Sequence, residues 1–143
     1  MIRRFSFADL DRILEIERQA FPKSPYDLAT FLNLYWLHPE TFWVYVERTH
    51  GWEKGQIFAY IVFARDGHII SIAIDPAWRR KGIGKALLER AINHPRIKKL
   101  RAEVRVSNKG AQAFYEEMGF QVVRVVSNYY GDEDALIVEK NVQ

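Results

Sequence analysis

Between residues 69 and 88 the chain changes its hydrophobic period abruptly. Ile69-Ile70-Ser71-Ile72-Ala73-Ile74 is a short continuous apolar run, the pattern of a buried strand. Asp75-Pro76 ends it, and Ala86-Leu87-Leu88 resumes with helical character. Between them stands Arg79-Arg80-Lys81-Gly82-Ile83-Gly84-Lys85. Glycines at i and i+2 remove Cβ atoms where a backbone has to come close to a ligand. They fall at a helix N-terminus, where unpaired N–H groups and the positive end of the dipole favour anions. Arg79, Arg80, Lys81 and Lys85 add positive charge at the same point, so a diphosphate suits the turn. The competing reading is a tight strand-to-helix turn with a solvated basic face. The spacing matches neither a dinucleotide G-x-G-x-x-G nor a P-loop, which removes those two nucleotide folds.

The rest of the chain supplies alternating elements around this unit. Ile2 to Phe5 reads as an edge strand, and Ser6 with Asp9 as a capping box opening a helix over 7–20. Leu10, Ile13, Leu14, Ile16 and Phe21 form its apolar stripe. Phe21-Pro22-Lys23-Ser24-Pro25-Tyr26 is a loop, because its two prolines stop a helix. An aromatic-rich helix follows over 26–37. Phe42 to Arg48 and Gln56 to Arg65 are strands joined by a hairpin over His50 to Gly55, and Asp66-Gly67 turns into a third strand, His68 to Ile74. Helices over 82–93 and 109–118 and strands over 98–106, 120–127 and 134–139 complete the order. This predicts a mixed α/β sheet, antiparallel early and joined by crossover helices late.

At 143 residues the chain has the size of one domain, and its 48% hydrophobic content suffices for a sizeable core. The absence of cysteine excludes disulfides, thiolate metal sites and a cysteine nucleophile. His38, His50, His68 and His94 lack metal-ligand spacing and read as surface or loop histidines, so no metal is expected. No apolar run approaches the ~20 residues of a membrane span, and the N-terminus lacks signal-peptide character, which predicts a cytoplasmic protein without a membrane partner. The net charge of +3 suits an anionic ligand but is too mild to establish nucleic-acid binding.

A second motif follows the first. Leu100, Ala102, Val104 and Val106 alternate with Arg101, Glu103 and Arg105, placing the two sets on opposite faces of a strand. Ser107-Asn108 then leads into a helix carrying Ala111, Phe114, Tyr115 and Met118, with Gly119 where a C-cap glycine belongs. With these residues in view the sequence resembles the GNAT superfamily of N-acetyltransferases. Its R-x-x-G-x-G acetyl-CoA motif matches within Ile72 to Leu88, and its following motif matches Ser107 to Phe120. Glu103-Val104-Arg105, Ser107-Asn108, Tyr129-Tyr130 and Glu133-Asp134-Ala135 resemble the RimI-like and archaeal protein N-terminal acetyltransferase branch.

The resemblance implies a single GNAT domain over residues 1–143, with a mixed, mostly antiparallel central sheet of about seven strands and four helices. It implies acetyl-CoA as acetyl donor and coenzyme A as product. Ile72, Ala73 and Ile74 would lie along the pantetheine arm, and Arg79, Arg80, Lys81, Gly82, Ile83, Gly84 and Lys85 around the pyrophosphate. Asn108 would bond to the cofactor, with Tyr115 near its sulfur. Glu103 matches the position of a general base, and Tyr129 and Tyr130 would hold acceptor main chain.

Transfer to an amine needs a neutral nucleophile, a polarised thioester carbonyl and a proton for the departing thiolate. Strand N–H groups at Ile72 to Ile74 can polarise the carbonyl, Tyr115 can give the proton, and Glu103 can take one. Each has a plainer alternative. Tyr115 also suits a core position, Tyr129-Tyr130 a hairpin surface pair, and Glu103 a strand carboxylate paired with Arg101 and Arg105. Three readings remain at this point. The first is an enzyme acetylating the α-amine of a protein N-terminus, such as that of a ribosomal protein. The second is a GNAT enzyme acting on a lysine or a small amine. The third is a non-catalytic module binding coenzyme A or RNA, through Arg96, Lys98, Lys99 and Arg101.

Overall fold

The computed structural model describes residues 1–49 and 52–142. In chain order the elements are β1 (Ile2–Arg4), α1 (Leu10–Ala20), α2 (Leu28–Leu37), β2 (Phe42–Thr49), β3 (Trp52–Phe63), β4 (Ile69–Ile74), α3 (Ile83–Ile92), β5 (Lys99–Arg105), α4 (Lys109–Glu117), β6 (Gln121–Val126) and β7 (Ala135–Asn141). One-turn 3₁₀ segments precede α1 and α3. This is the order expected from the sequence. The hairpin expected over His50 to Gly55 lies partly outside the described residues.

The seven strands do not form one continuous ladder. Four pair in the order β1-β2-β3-β4 and three in the order β5-β7-β6, all antiparallel. The expected mixed, mostly antiparallel architecture of seven strands and four helices is present, with its strands divided between two sheets. β4 and β5 run parallel, and among the described residues one isolated bridge links them, between His68, just before β4, and Arg101. Its hydrogen bond runs from the Arg101 N–H to the Gly67 carbonyl at 3.0 Å. Among the described residues no further pairing joins the two strands toward their C-terminal ends. Both motif turns, before α3 and before α4, lie at those ends.

Apolar side chains divide between the faces of the first sheet. Phe5, Ile13, Ile16, Phe31, Phe42, Val44, Tyr60 and Val62 form a buried cluster under α1 and α2. Phe58, Ile61, Phe63, Ile69, Leu87, Leu88, Leu100, Val104, Tyr115 and Phe120 form the second, spanning both sheets with α3 and α4. The sheets are thus joined mainly by apolar burial rather than by ladder bonds. Gly84 belongs to this packing, since a Cβ there would lie 2.9 Å from Ile74 Cδ1 and 3.0 Å from the Phe114 ring. β6 is an edge strand whose Val122, Val123 and Val125 are all exposed.

The turn Asp66-Gly67 is a second fixed point. The Gly67 N–H donates to the Ala64 carbonyl at 3.0 Å, and the Ala64 N–H to the His68 carbonyl at 2.8 Å. Gly67 has φ +99°, and a Cβ there would sit 1.8 Å from the Lys99 carbonyl oxygen. Only glycine lets the hairpin approach β5 this closely. Gly67→Ala is therefore expected to cost on the order of 3 kcal/mol, read as a shifted urea midpoint. A midpoint like that of the wild type would mean that the bridge is not a constraint.

Candidate active site

The wedge between β4 and β5 is lined first by backbone. The Asp75 N–H donates to the Phe58 carbonyl at 2.8 Å, making Asp75 and Phe58 a hydrogen-bonded pair. Ladder alternation then turns Ala73 toward β3, where it pairs with Tyr60, and turns the main-chain groups of Ile72 and Ile74 toward the wedge. Of the three neighbours grouped in the sequence, Ala73 is the one whose backbone faces away.

At the end of β4, Asp75 accepts from the Ala77 N–H at 2.8 Å, shaping the short turn that leads to α3. Arg80 and Gly82 both have positive φ, +63° and +80°, and Gly82 is the N-cap of α3. The first intrahelical bond runs from Ala86 to the Gly82 carbonyl at 3.0 Å, so the N–H groups of Ile83, Gly84 and Lys85 have no intrahelical partner. Nothing lies within 4 Å of the space a Gly82 Cβ would fill. Arg79, Arg80, Lys81 and Lys85 are exposed around this open turn. A diphosphate fits such a cradle, because free N–H donors, dipole and cations converge where no side chain intrudes. Asn108 is the N-cap of α4, and its side-chain carbonyl accepts from the Ala111 N–H at 3.0 Å. Only its amide nitrogen is left to meet a ligand.

Glu103 projects from the face of β5 opposite Leu100, Ala102 and Val104, as the alternation predicts. Its partners differ from those expected. Arg101 pairs with Asp66 at 3.1 Å, and Arg105 with Asp132 at 2.8 Å and Glu133 at 2.9 Å. Glu103 instead meets His68, whose Nε2 lies 2.8 and 2.9 Å from the two carboxylate oxygens, and accepts from the Tyr129 hydroxyl at 3.2 Å. Burial pushes the Glu103 carboxyl up, but the bonds from His68 and Tyr129, with the His68 and Arg101 charges, hold it below the usual glutamate range.

Tyrosines surround this carboxylate. Tyr115 is 6% exposed and packs edge-on against Phe114 and Phe120, with centroids at 5.4 and 5.0 Å. It is a core residue by burial, yet its phenol also feels the charges of Glu103 and Tyr130. Burial, with those charges, pushes it well above the ordinary phenol value. Tyr129 and Tyr130 meet edge-on at 4.8 Å, and the Arg105 guanidinium lies 4.2 Å from the Tyr130 ring centre. Burial raises Tyr130 to about 12, with Tyr129 and Glu103 contributing. Tyr26 lies close enough for Glu103 and Tyr129 to raise its phenol as well, after burial and Glu17.

Sequence reasoning missed His68 and Tyr26. His68 was read as a loop histidine, and nothing near it in sequence marks Glu103 as its partner. The available signal was topological: the first residue after the Asp-Gly turn falls beside the start of the next parallel strand. Among the described residues, no cluster of potential ligands could hold a metal ion, and no helix is long and apolar enough to cross a membrane.

The open edge of β4, the basic turn at α3 and the Glu103 carboxylate are the parts that an acyl-transfer site of the acetyltransferase class would use. The profile of the acetyltransferase (GNAT) family matches residues 10–120, and the chain belongs to that family. It is 38% identical to an uncharacterized N-acetyltransferase of Methanocaldococcus jannaschii, covering 98% of this chain and 90% of that one. It is 31% identical to an N-alpha-acetyltransferase of Saccharolobus solfataricus, covering 97% and 91%. The crystal structure of Ard1 from Thermoplasma volcanium superposes with a TM-score of 0.86 at 30% identity, over 100% of this chain and 97% of that one. The chain is an N-acetyltransferase with acetyl-CoA as donor.

One electrostatic feature of the site can be titrated. The Glu133 carboxylate is bonded to Lys23 at 2.9 Å, to the Ser107 N–H at 2.9 Å, to the Ser107 hydroxyl at 3.0 Å and to Arg105 at 2.9 Å. Led by Lys23 and the Ser107 N–H, these donors hold it at about 2, against an ordinary value of 4.5. A lowered folded value means stabilisation that is present above about pH 4.5 and is lost as pH falls toward about 2. Glu133→Gln should therefore melt lower than wild type at pH 7 and lose less on acidification through that window. Parallel acid limbs in the two melting profiles would contradict the assignment.

Proposed function

We propose that the chain transfers the acetyl group of acetyl-CoA to the α-amine of a polypeptide N-terminus, such as that of a ribosomal protein, in the cytoplasm. The observation that carries the choice of acceptor is the Glu103 carboxyl, held low by His68 and Tyr129. An α-amine has a pKa near 7.8 and a lysine near 10.4, a gap of about 3.5 kcal/mol in deprotonation at neutral pH. A carboxylate held low is a weak base. It suits the amine that needs less help.

Each residue then has a task. The turn from Arg79 to Lys85 holds the diphosphate, and the N–H groups of Ile72 and Ile74 hold the pantetheine arm and the thioester carbonyl, which supplies an activated acetyl group. The Asn108 amide adds a cofactor contact, and Tyr129 and Tyr130 bind acceptor main chain. Glu103, with His68 as the route to solvent, takes the ammonium proton. The amine nitrogen bonds to the acetyl carbon, the C–S bond breaks, Tyr115 gives its proton to the departing sulfur, and the proton that the new amide nitrogen sheds restores the phenol. A phenol raised by burial stays protonated at neutral pH, so that proton is always available.

The acceptor is tested with short peptides bearing a free N-terminus, ribosomal-protein N-termini among them, each matched to an N-blocked peptide containing lysine. Mass spectrometry should place the acetyl group on the α-amine at a rate at least about tenfold higher. Faster modification of the blocked lysine peptides would sink this reading.

Tyr115→Phe should lower kcat by roughly 10²–10⁴-fold with little change in acetyl-CoA affinity. Turnover like that of the wild type would leave Tyr115 as core packing alone.

A further inference from the structure

Glu17 lies on the apolar face of α1, one turn past Ile13, and is 2% exposed. A buried carboxylate is costly unless its oxygens are satisfied, and an apolar side chain would fill the space at less cost. Burial pushes it above the usual range, and its stabilising partners are hydrogen-bond donors rather than cations. One oxygen accepts from the Tyr26 N–H at 2.9 Å. The other accepts from the Tyr60 hydroxyl of β3 and, at 3.4 Å, from the Ser71 hydroxyl of β4, with Tyr60 and Ser71 themselves 2.8 Å apart.

The inner side of the segment between α1 and α2 is otherwise held by apolar packing, with Phe21 and Tyr26 set against the cluster under the two helices. Pro22 and Pro25 have no N–H to donate. Its first residue, Phe21, donates to the main-chain carbonyl of Glu17 at 2.8 Å. Both ends of residues 21–26 are therefore tied to the same glutamate. On its outer side the segment is held by Lys23 to Glu133 and by Arg105 to Ser24, at 2.9 and 2.8 Å. Lys23 is 54% exposed, so this outer tie is open to solvent and salt, whereas the ties to Glu17 are buried.

We propose that Glu17 is a positioning residue for the acceptor side of the site. Its carboxylate locks the segment 21–27 to β3 and β4, so that Tyr26 stays beside Tyr129 and Glu103. One carboxyl group thereby couples the loop on the acceptor side to the strand whose backbone faces the thioester. The role rests on the acetyl-transfer reading above. It adds a residue that touches neither substrate.

The test compares E17Q, Y60F and the double variant E17M/Y60F. Gln keeps an acceptor for the Tyr26 N–H and an amide for the two hydroxyls, so E17Q should retain the wild-type acceptor KM. E17M/Y60F replaces two of the three buried polar groups with apolar ones of similar shape, while leaving the Tyr26 N–H without its anchor. Its KM for an α-amine peptide should rise at least about tenfold, with the Kd for acetyl-CoA within about threefold of wild type. Exchange of the Tyr26 amide should accelerate by at least about tenfold. Y60F alone should leave both readings unchanged. If the double variant fails to fold, E17D keeps the charge but is one methylene too short to span both sides, and should raise the same KM.

An unchanged acceptor KM in a folded E17M/Y60F would overturn the proposal, as would a loss of acetyl-CoA affinity in step with the rise in KM. Wild-type protein that acetylates no α-amine peptide would overturn the proposed function instead. The amide-exchange reading, taken without acceptor, then still decides whether Glu17 fastens the segment.

Discussion

One hydrogen bond from β5 to the turn before β4 is the only ladder connection described between two otherwise separate sheets. Parallel strands ordinarily pair along their length. Here Gly67 permits an approach that a Cβ would forbid, and pairing stops after one bridge. This leaves free the N–H and C=O groups of Ile72 and Ile74, which a complete ladder would have consumed. Such an opening, at the carboxyl ends of two strands and between two helix N-termini, is where α/β proteins bind ligands. The separation costs little elsewhere, because Leu87, Leu100, Val104 and Phe120 bury one apolar cluster across both sheets.

Charge is distributed around that opening with a clear division. At the α3 turn only Lys85 meets a carboxylate among the described residues, Glu89 at 3.9 Å, whereas the arginines of β5 are each paired with an opposite charge. Arg101 answers Asp66, and Arg105 answers Asp132 and Glu133. This frees Glu103 from the arginines that flank it in sequence and leaves it to His68 and Tyr129. Its hydrogen bonds come from His68 and Tyr129, while Arg101 acts on it through charge alone.

Most of the architecture was legible because it is local. The hairpin at Asp66-Gly67, the change of period after Ile74, and the alternation from Leu100 to Arg105 each declare an element within a few residues. The cradle from Arg79 to Lys85 was legible for the same reason, since glycine spacing and charge are contiguous. What could not be read is what meets across the fold. The single bridge between β4 and β5 depends on an approach between Gly67 and Lys99, and the contact of His68 with Glu103 spans 35 positions. Glu17 stood in plain view on an apolar stripe, but its meaning depends on Tyr60 and Ser71, two strands away in sequence.

β6 bears on how the chain behaves in a test tube. It offers an unpaired edge with valines on both faces, the arrangement that recruits a further strand from any neighbouring molecule. Gln121-Val122-Val123-Arg124-Val125-Val126 has high β-propensity and lacks both proline and glycine. Arg124 alone interrupts the apolar run with a charge. In that position it has the place of a gatekeeper, one guanidinium at the rim of the sheet.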